Sequence, residues 1–158
     1  MSVFGLLSGL LDPLRRALLS GGDDDPQPGA ELAAGQHVWC LAASEDGRLY
    51  AGLPDGRISV WRCDSTTNSA TFLGEVQAHG GTVYAMHARG VKLASAGADA
   101  VVQSWADMGS VESAGSGLPT RVAASNPVGC GLPILALVSA PTGELFSGGA
   151  DGCVLRSA

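Results

Sequence analysis

Three histidines (His37, His79, His87) and four cysteines (Cys40, Cys63, Cys130, Cys153) are the strongest potential metal ligands and nucleophiles in this 158-residue chain. A zinc or redox site would ask for cysteines two residues apart, or for histidines spaced to share one ion. No two cysteines are that close. A 23-residue spacing occurs twice, from 40 to 63 and from 130 to 153, but the two pairs fall at different points of the pattern described next. The chain also lacks GxSxG, a phosphate-cradling Walker loop and HExxH. These absences predict no enzyme, no metal and no cofactor, and the cysteines read as reduced thiols of a reducing compartment.

The carboxylates that recur are more informative. Leu49–Trp61, Leu93–Trp105 and Leu145–Ser157 each run from a Leu to an Asp six residues on. Six residues later they reach Trp61, Trp105 and Ser157. Asp55, Asp99 and Asp151 are thus successive copies of one position, 44 and 52 residues apart. Paired carboxylates could serve acid–base chemistry. A carboxylate that returns once per repeat beside Gly or Ala instead predicts a turn former, and a period of this size predicts a stacked or radial architecture.

Short alternating segments flank those turns. In the first unit the expected strands are Val38–Ala42, Arg48–Gly52 and Arg57–Trp61. The second has Thr82–Ala88, Lys92–Ala96 and Val101–Trp105, and the third has Ile134–Ser139, Glu144–Gly148 and Cys153–Ser157. Ala70–Gln77 and Leu118–Ala124 supply candidate fourth strands. Ahead of them, residues 1–22 form an apolar leader in which Asp12-Pro13 and Gly21-Gly22 bound a short helix. Residues 23–35 form an acidic, Pro- and Gly-containing linker.

His79-Gly80-Gly81-Thr82-Val83, then Leu93–Asp99, then Trp105, resemble a WD40 repeat, the four-stranded blade of a β-propeller. The resemblance implies an all-β fold over 36–158, with about three antiparallel blades at 36–77, 78–124 and 125–158, the last incomplete. It also implies a structural tetrad, His79, Ser95, Asp99 and Trp105, whose members hydrogen-bond one another and lock the outer connection onto the inner strands. The first unit keeps Asp55 and Trp61 but has Ala51 at the Ser position. The third keeps Ser147 and Asp151, with Ser157 in place of Trp. Partners of the family dock on the narrow face, through inner-strand starts and connecting loops. The positions here that match are Trp39, Thr82, Tyr84 and Leu135.

Composition narrows the function classes. The net charge is −6, with 46% hydrophobic and only 15% charged residues. With no basic stripe, direct nucleic-acid binding is not expected. No apolar run approaches the roughly 20 residues of a membrane-spanning helix. A closed propeller takes about four to eight blades. Three blades ending at Ala158 therefore predict a truncated product, completion by another chain, or self-association through open faces. The expected function is a non-enzymatic protein-interaction or scaffold module in the cytoplasm or another reducing compartment. The alternative is a structural subunit anchored to an organelle or membrane-associated complex through the leader, whose Arg15 and Arg16 give it a basic side.

Overall fold

A computed structural model describes residues 32–64, 67, 69–90, 92–106, 118–125 and 131–157. The leader helix expected over 1–22, most of the 23–35 linker and Cys130 lie outside the described residues. Among the described residues there are eleven strands and no helix.

The strands form three antiparallel sheets in chain order. The first is β1 (Cys40–Ala43), β2 (Arg48–Gly52), β3 (Arg57–Asp64) and β4 (Ser69–Gln77). The second is β5 (Val83–Arg89), β6 (Lys92–Gly97), β7 (Val102–Ala106) and β8 (Thr120–Ser125). The third has three strands among the described residues, β9 (Ile134–Ser139), β10 (Leu145–Gly149) and β11 (Val154–Ser157). Each sheet is a meander, so β1, β5 and β9 are its inner strands, and β5 lies between β1 and β9.

Local chemistry explains the β2–β3 turn. Gly56 follows Asp55 with φ +86°, a left-handed conformation that only glycine adopts without cost. The corresponding residue of the second sheet is Ala100, and it still takes φ 60°. Space is a second constraint at Gly56, because a Cβ there would strike the backbone carbonyl of His79.

Apolar packing joins the sheets. Tyr50, Ile58 and Val60 of the first sheet meet Val83, Met86, Leu93 and Trp105 of the second in one buried cluster. A smaller cluster of Ala96, Val102 and Ile134, flanked by Leu137 and Leu145, joins the second sheet to the third. These side chains alternate along their strands with residues of the opposite face, which is why strands of four to nine residues can pack on both sides.

Backbone groups complete the junctions. Val83 N–H donates to the Leu53 carbonyl (3.1 Å), and Ala78 and His79 N–H both donate to the Gly56 carbonyl (2.9 and 3.0 Å). Across the second junction the Arg89 guanidinium donates to the Ala140 and Pro141 carbonyls (2.6 and 2.7 Å). The β2–β3 turn therefore serves as the socket for the segment entering the next sheet. Gly56→Ala is expected to destabilise the fold by about 3 kcal/mol or more, from left-handed strain plus a backbone clash. Gly143→Ala, equally left-handed at φ +97° but in open space, should cost only about 1–2 kcal/mol. Urea unfolding of the two variants measures the difference.

Candidate functional site

The second sheet contains a closed polar network. The His79 ring lies in the connection from β4 to β5, Ser95 on β6, Trp105 on β7, and Asp99 in the turn between those two strands. Trp105 Nε1–H donates to Ser95 Oγ (2.9 Å), and Ser95 Oγ lies 2.8 Å from His79 Nε2. His79 Nδ1 lies 2.9 and 3.1 Å from the two Asp99 carboxylate oxygens.

Donor counting gives the network a direction. The indole can only donate, so Ser95 Oγ accepts from it and turns its own proton toward His79 Nε2. Nδ1 then carries the ring proton and donates to Asp99. Asp99 Oδ2 also accepts from Gly80 N–H (3.1 Å), and Oδ1 accepts from Val101 N–H (3.2 Å). The network thus ties the incoming connection, the turn and two strands together. His79, Ser95 and Trp105 are all buried, so water cannot replace a lost partner.

The other two copies keep only part of this arrangement. Asp55 Oδ1 accepts from Arg57 N–H (3.2 Å) and Asp151 Oδ1 from Cys153 N–H (3.0 Å), each two residues on. All three aspartates therefore close the same local turn. Asp55 accepts further from Arg57 Nε (2.7 Å) and Gln36 Nε2 (2.8 Å). Those two side chains, Arg57 first, hold its carboxyl down at about 2. At the serine position Ala51 is buried in the first sheet and Ser147 in the third. Trp61 packs against Phe72, with ring centroids 5.6 Å apart.

Trp39, Tyr84 and Leu135 form a different kind of set. In the strand pairing Cys40 lies opposite Gly52, Ala85 opposite Ala96 and Ala136 opposite Gly148. The residue before each is Trp39, Tyr84 and Leu135, so the three occupy one equivalent position at the starts of three consecutive inner strands, Trp39 immediately preceding β1. Tyr84 and Leu135 are the extra residues of β-bulges, an irregularity that re-aims a side chain. Trp39 is 57% exposed and Leu135 51%. Tyr84 is half-buried, and its ring meets Trp39 edge-on at 5.5 Å and 89°. Thr82 stands apart from this set, because its hydroxyl donates to the Pro54 carbonyl (3.1 Å) at the sheet junction.

The remaining titratable groups are dispersed. His37 is exposed, and His87 Nε2 pairs with Ser139 Oγ (2.8 Å) between β5 and β9. Burial, with Arg89 beside it, lowers the His87 pKa. Cys40 donates to the Val83 carbonyl (3.3 Å), and burial pushes its thiol up to about 11. Among the described residues no three His, Cys, Asp or Glu side chains group to hold a metal ion. Sequence reasoning missed the grip of Arg89 on the β9–β10 turn and the contact of Gln103 Nε2 with the Ala78 carbonyl. Both join groups at least 25 residues apart, and no local pattern marks them.

Ser95→Ala would strip the acceptor from a buried indole N–H and the donor from a buried imidazole nitrogen. The expected loss is about 2–4 kcal/mol for the two orphaned groups together. Asp55→Asn, at the exposed copy of the turn, should cost less than about 1 kcal/mol. Urea unfolding midpoints of the two variants check the ordering.

Comparison with known proteins places this geometry. The family description "WD domain, G-beta repeat" matches residues 29–62, which fall on the first sheet rather than on the sheet with the complete network. No curated protein matches the chain. One chain from the crystal structure of the mitotic checkpoint complex shares the fold, with a TM-score of 0.52 at 25% identity. The match covers 71% of this chain and 32% of that one, so this chain spans about a third of its structural relative. The chain thus carries a WD40-repeat match over residues 29–62, and its three antiparallel sheets among the described residues are consistent with a partial β-propeller.

Proposed function

We propose that this chain is a non-enzymatic protein-interaction module whose partner binds along Trp39, Tyr84 and Leu135. The observation that carries this reading is one inner-strand position that bears a large apolar side chain in all three sheets. Two of those side chains are more than half exposed. Large apolar groups are normally buried, and exposed aromatics set on rigid strands make good interface anchors. The bulges at Tyr84 and Leu135 add support, since they break ladder pairing at the residues that would make the contact. The relative was crystallised in a multi-component complex, which supports protein partners in general and leaves the particular partner to experiment. A reducing intracellular compartment fits Cys40, Cys63 and Cys153, all free thiols.

The test is a Trp39→Ala/Leu135→Ser double variant, compared with the wild-type chain by quantitative proximity labelling in cells. Losing two anchors should weaken partner binding on the order of 30-fold or more, emptying the labelled set of its specific members. A double variant that keeps its urea midpoint and also keeps that set would contradict the proposal.

A further inference from the structure

The three turn aspartates stand at the same end of the molecule as Trp39, Tyr84 and Leu135, and hydrogen bonds put them there. The Asp99 turn reaches Thr82, two residues before Tyr84, through the Ala98 N–H (2.9 Å). The Asp151 turn reaches Pro133, two residues before Leu135, through the Ala150 N–H (2.9 Å). Asp55 itself accepts from Gln36, three residues before Trp39 (2.8 Å). Two or three extended residues span at most about 7–11 Å. Each apolar side chain is therefore on the order of one to two screening lengths from a carboxylate, each length about 8 Å at physiological salt.

Charge is divided between the two ends of the sheets. Asp55, Asp99, Asp151 and Glu75 stand toward the end with the apolar side chains. Arg57 is the one Lys or Arg there among the described residues. Arg48, Arg62, Arg89, Lys92, Arg121 and Arg156 all stand toward the opposite end.

Internal bonds do not cancel the negative end. Arg57 pairs with both Asp55 and Glu75, so one positive charge is shared by two carboxylates. Asp99 accepts from the Gly80 and Val101 amides and from a His79 ring that is neutral, because the Ser95 hydroxyl donates to its Nε2. Asp151 accepts from the Cys153 amide. Neutral donors satisfy lone pairs and leave the charge in place. Four carboxylates against one guanidinium make this end net negative among the described residues.

We infer, resting on the reading of Trp39, Tyr84 and Leu135 as the partner surface, that the partner is a protein segment with Lys or Arg set among apolar side chains. Its apolar groups cover Trp39 and Leu135, and its cations face the acidic rim. A cation in that position also meets an exposed indole, the best cation–π acceptor among the side chains. The apolar centre supplies affinity, and the rim supplies encounter rate and selects the sign of the partner's charge. Nucleic acids and anionic lipid surfaces are repelled by the same field.

Selection from a random displayed-peptide library on the full chain tests the inference. Selected peptides should carry Lys or Arg beside apolar residues about threefold more often than the unselected library. As synthetic peptides they should bind about tenfold more weakly to Asp55→Asn/Asp151→Asn, which removes two charges and keeps the turn acceptors. The wild-type affinity should fall likewise on raising salt to about 0.5 M. Glu45→Gln, in an exposed turn at the opposite end, should leave binding unchanged. Trp39→Ala/Leu135→Ser separates this inference from the reading beneath it. Peptides that need those two residues yet are neutral or acidic overturn the cationic partner alone. So do cationic peptides whose affinity neither salt nor the asparagine pair changes. Peptides indifferent to Trp39 and Leu135, or no selected peptides at all, overturn the partner surface as well.

Discussion

One serine hydroxyl, that of Ser95, holds together the parts of this molecule that the backbone ladders leave separate. It accepts from the Trp105 indole on the neighbouring strand and lies against the His79 ring of the connection entering the sheet. The ring's other nitrogen reaches Asp99 in the following turn. Because three of the four groups are buried, each bond is worth the cost of leaving its partners dry and unpaired, about 1–3 kcal/mol per orphaned group. That cost fixes where the β4–β5 connection enters, and with it where Val83 and Tyr84 begin the inner strand.

The same logic orders the three sheets. Each aspartate closes a tight turn by accepting the amide two residues on. In the first sheet the resulting loop offers the Leu53, Pro54 and Gly56 carbonyls to the segment that enters the second. Turn chemistry thus becomes inter-sheet geometry. Inner strands placed side by side by those sockets bring Trp39, Tyr84 and Leu135 onto one line. The surface proposed for partner contact thus arises from repeated local structure.

Much of this was legible in the residues because it is local. The segments Arg48–Gly52 and Ile134–Ser139 are strands with the expected ends, bounded by turn residues that fix them. Strand β3 extends to Asp64, beyond the expected Trp61, because its ladder with β4 continues through Cys63 and Ala70. Hairpin length depends on the partner strand, and alternation within one segment does not carry it. The bulges at Tyr84 and Leu135 were likewise out of reach, since each is defined by a register shift against β6 or β10. The resemblance to a WD40 repeat implied that His79, Ser95, Asp99 and Trp105 form one network, yet which oxygen serves which nitrogen required coordinates.

The most direct test of the central claim is amide and indole hydrogen exchange by NMR, with the three tryptophan indoles assigned through Trp→Phe variants. The Trp105 Nε1–H should exchange only through global unfolding, with protection matching the slowest backbone amides of β6. The exposed Trp39 indole should exchange near the rate of a free indole. Exchange of Trp105 as fast as that of Trp39, in a chain whose β6 amides remain protected, would show that the Ser95 network does not hold the sheet together.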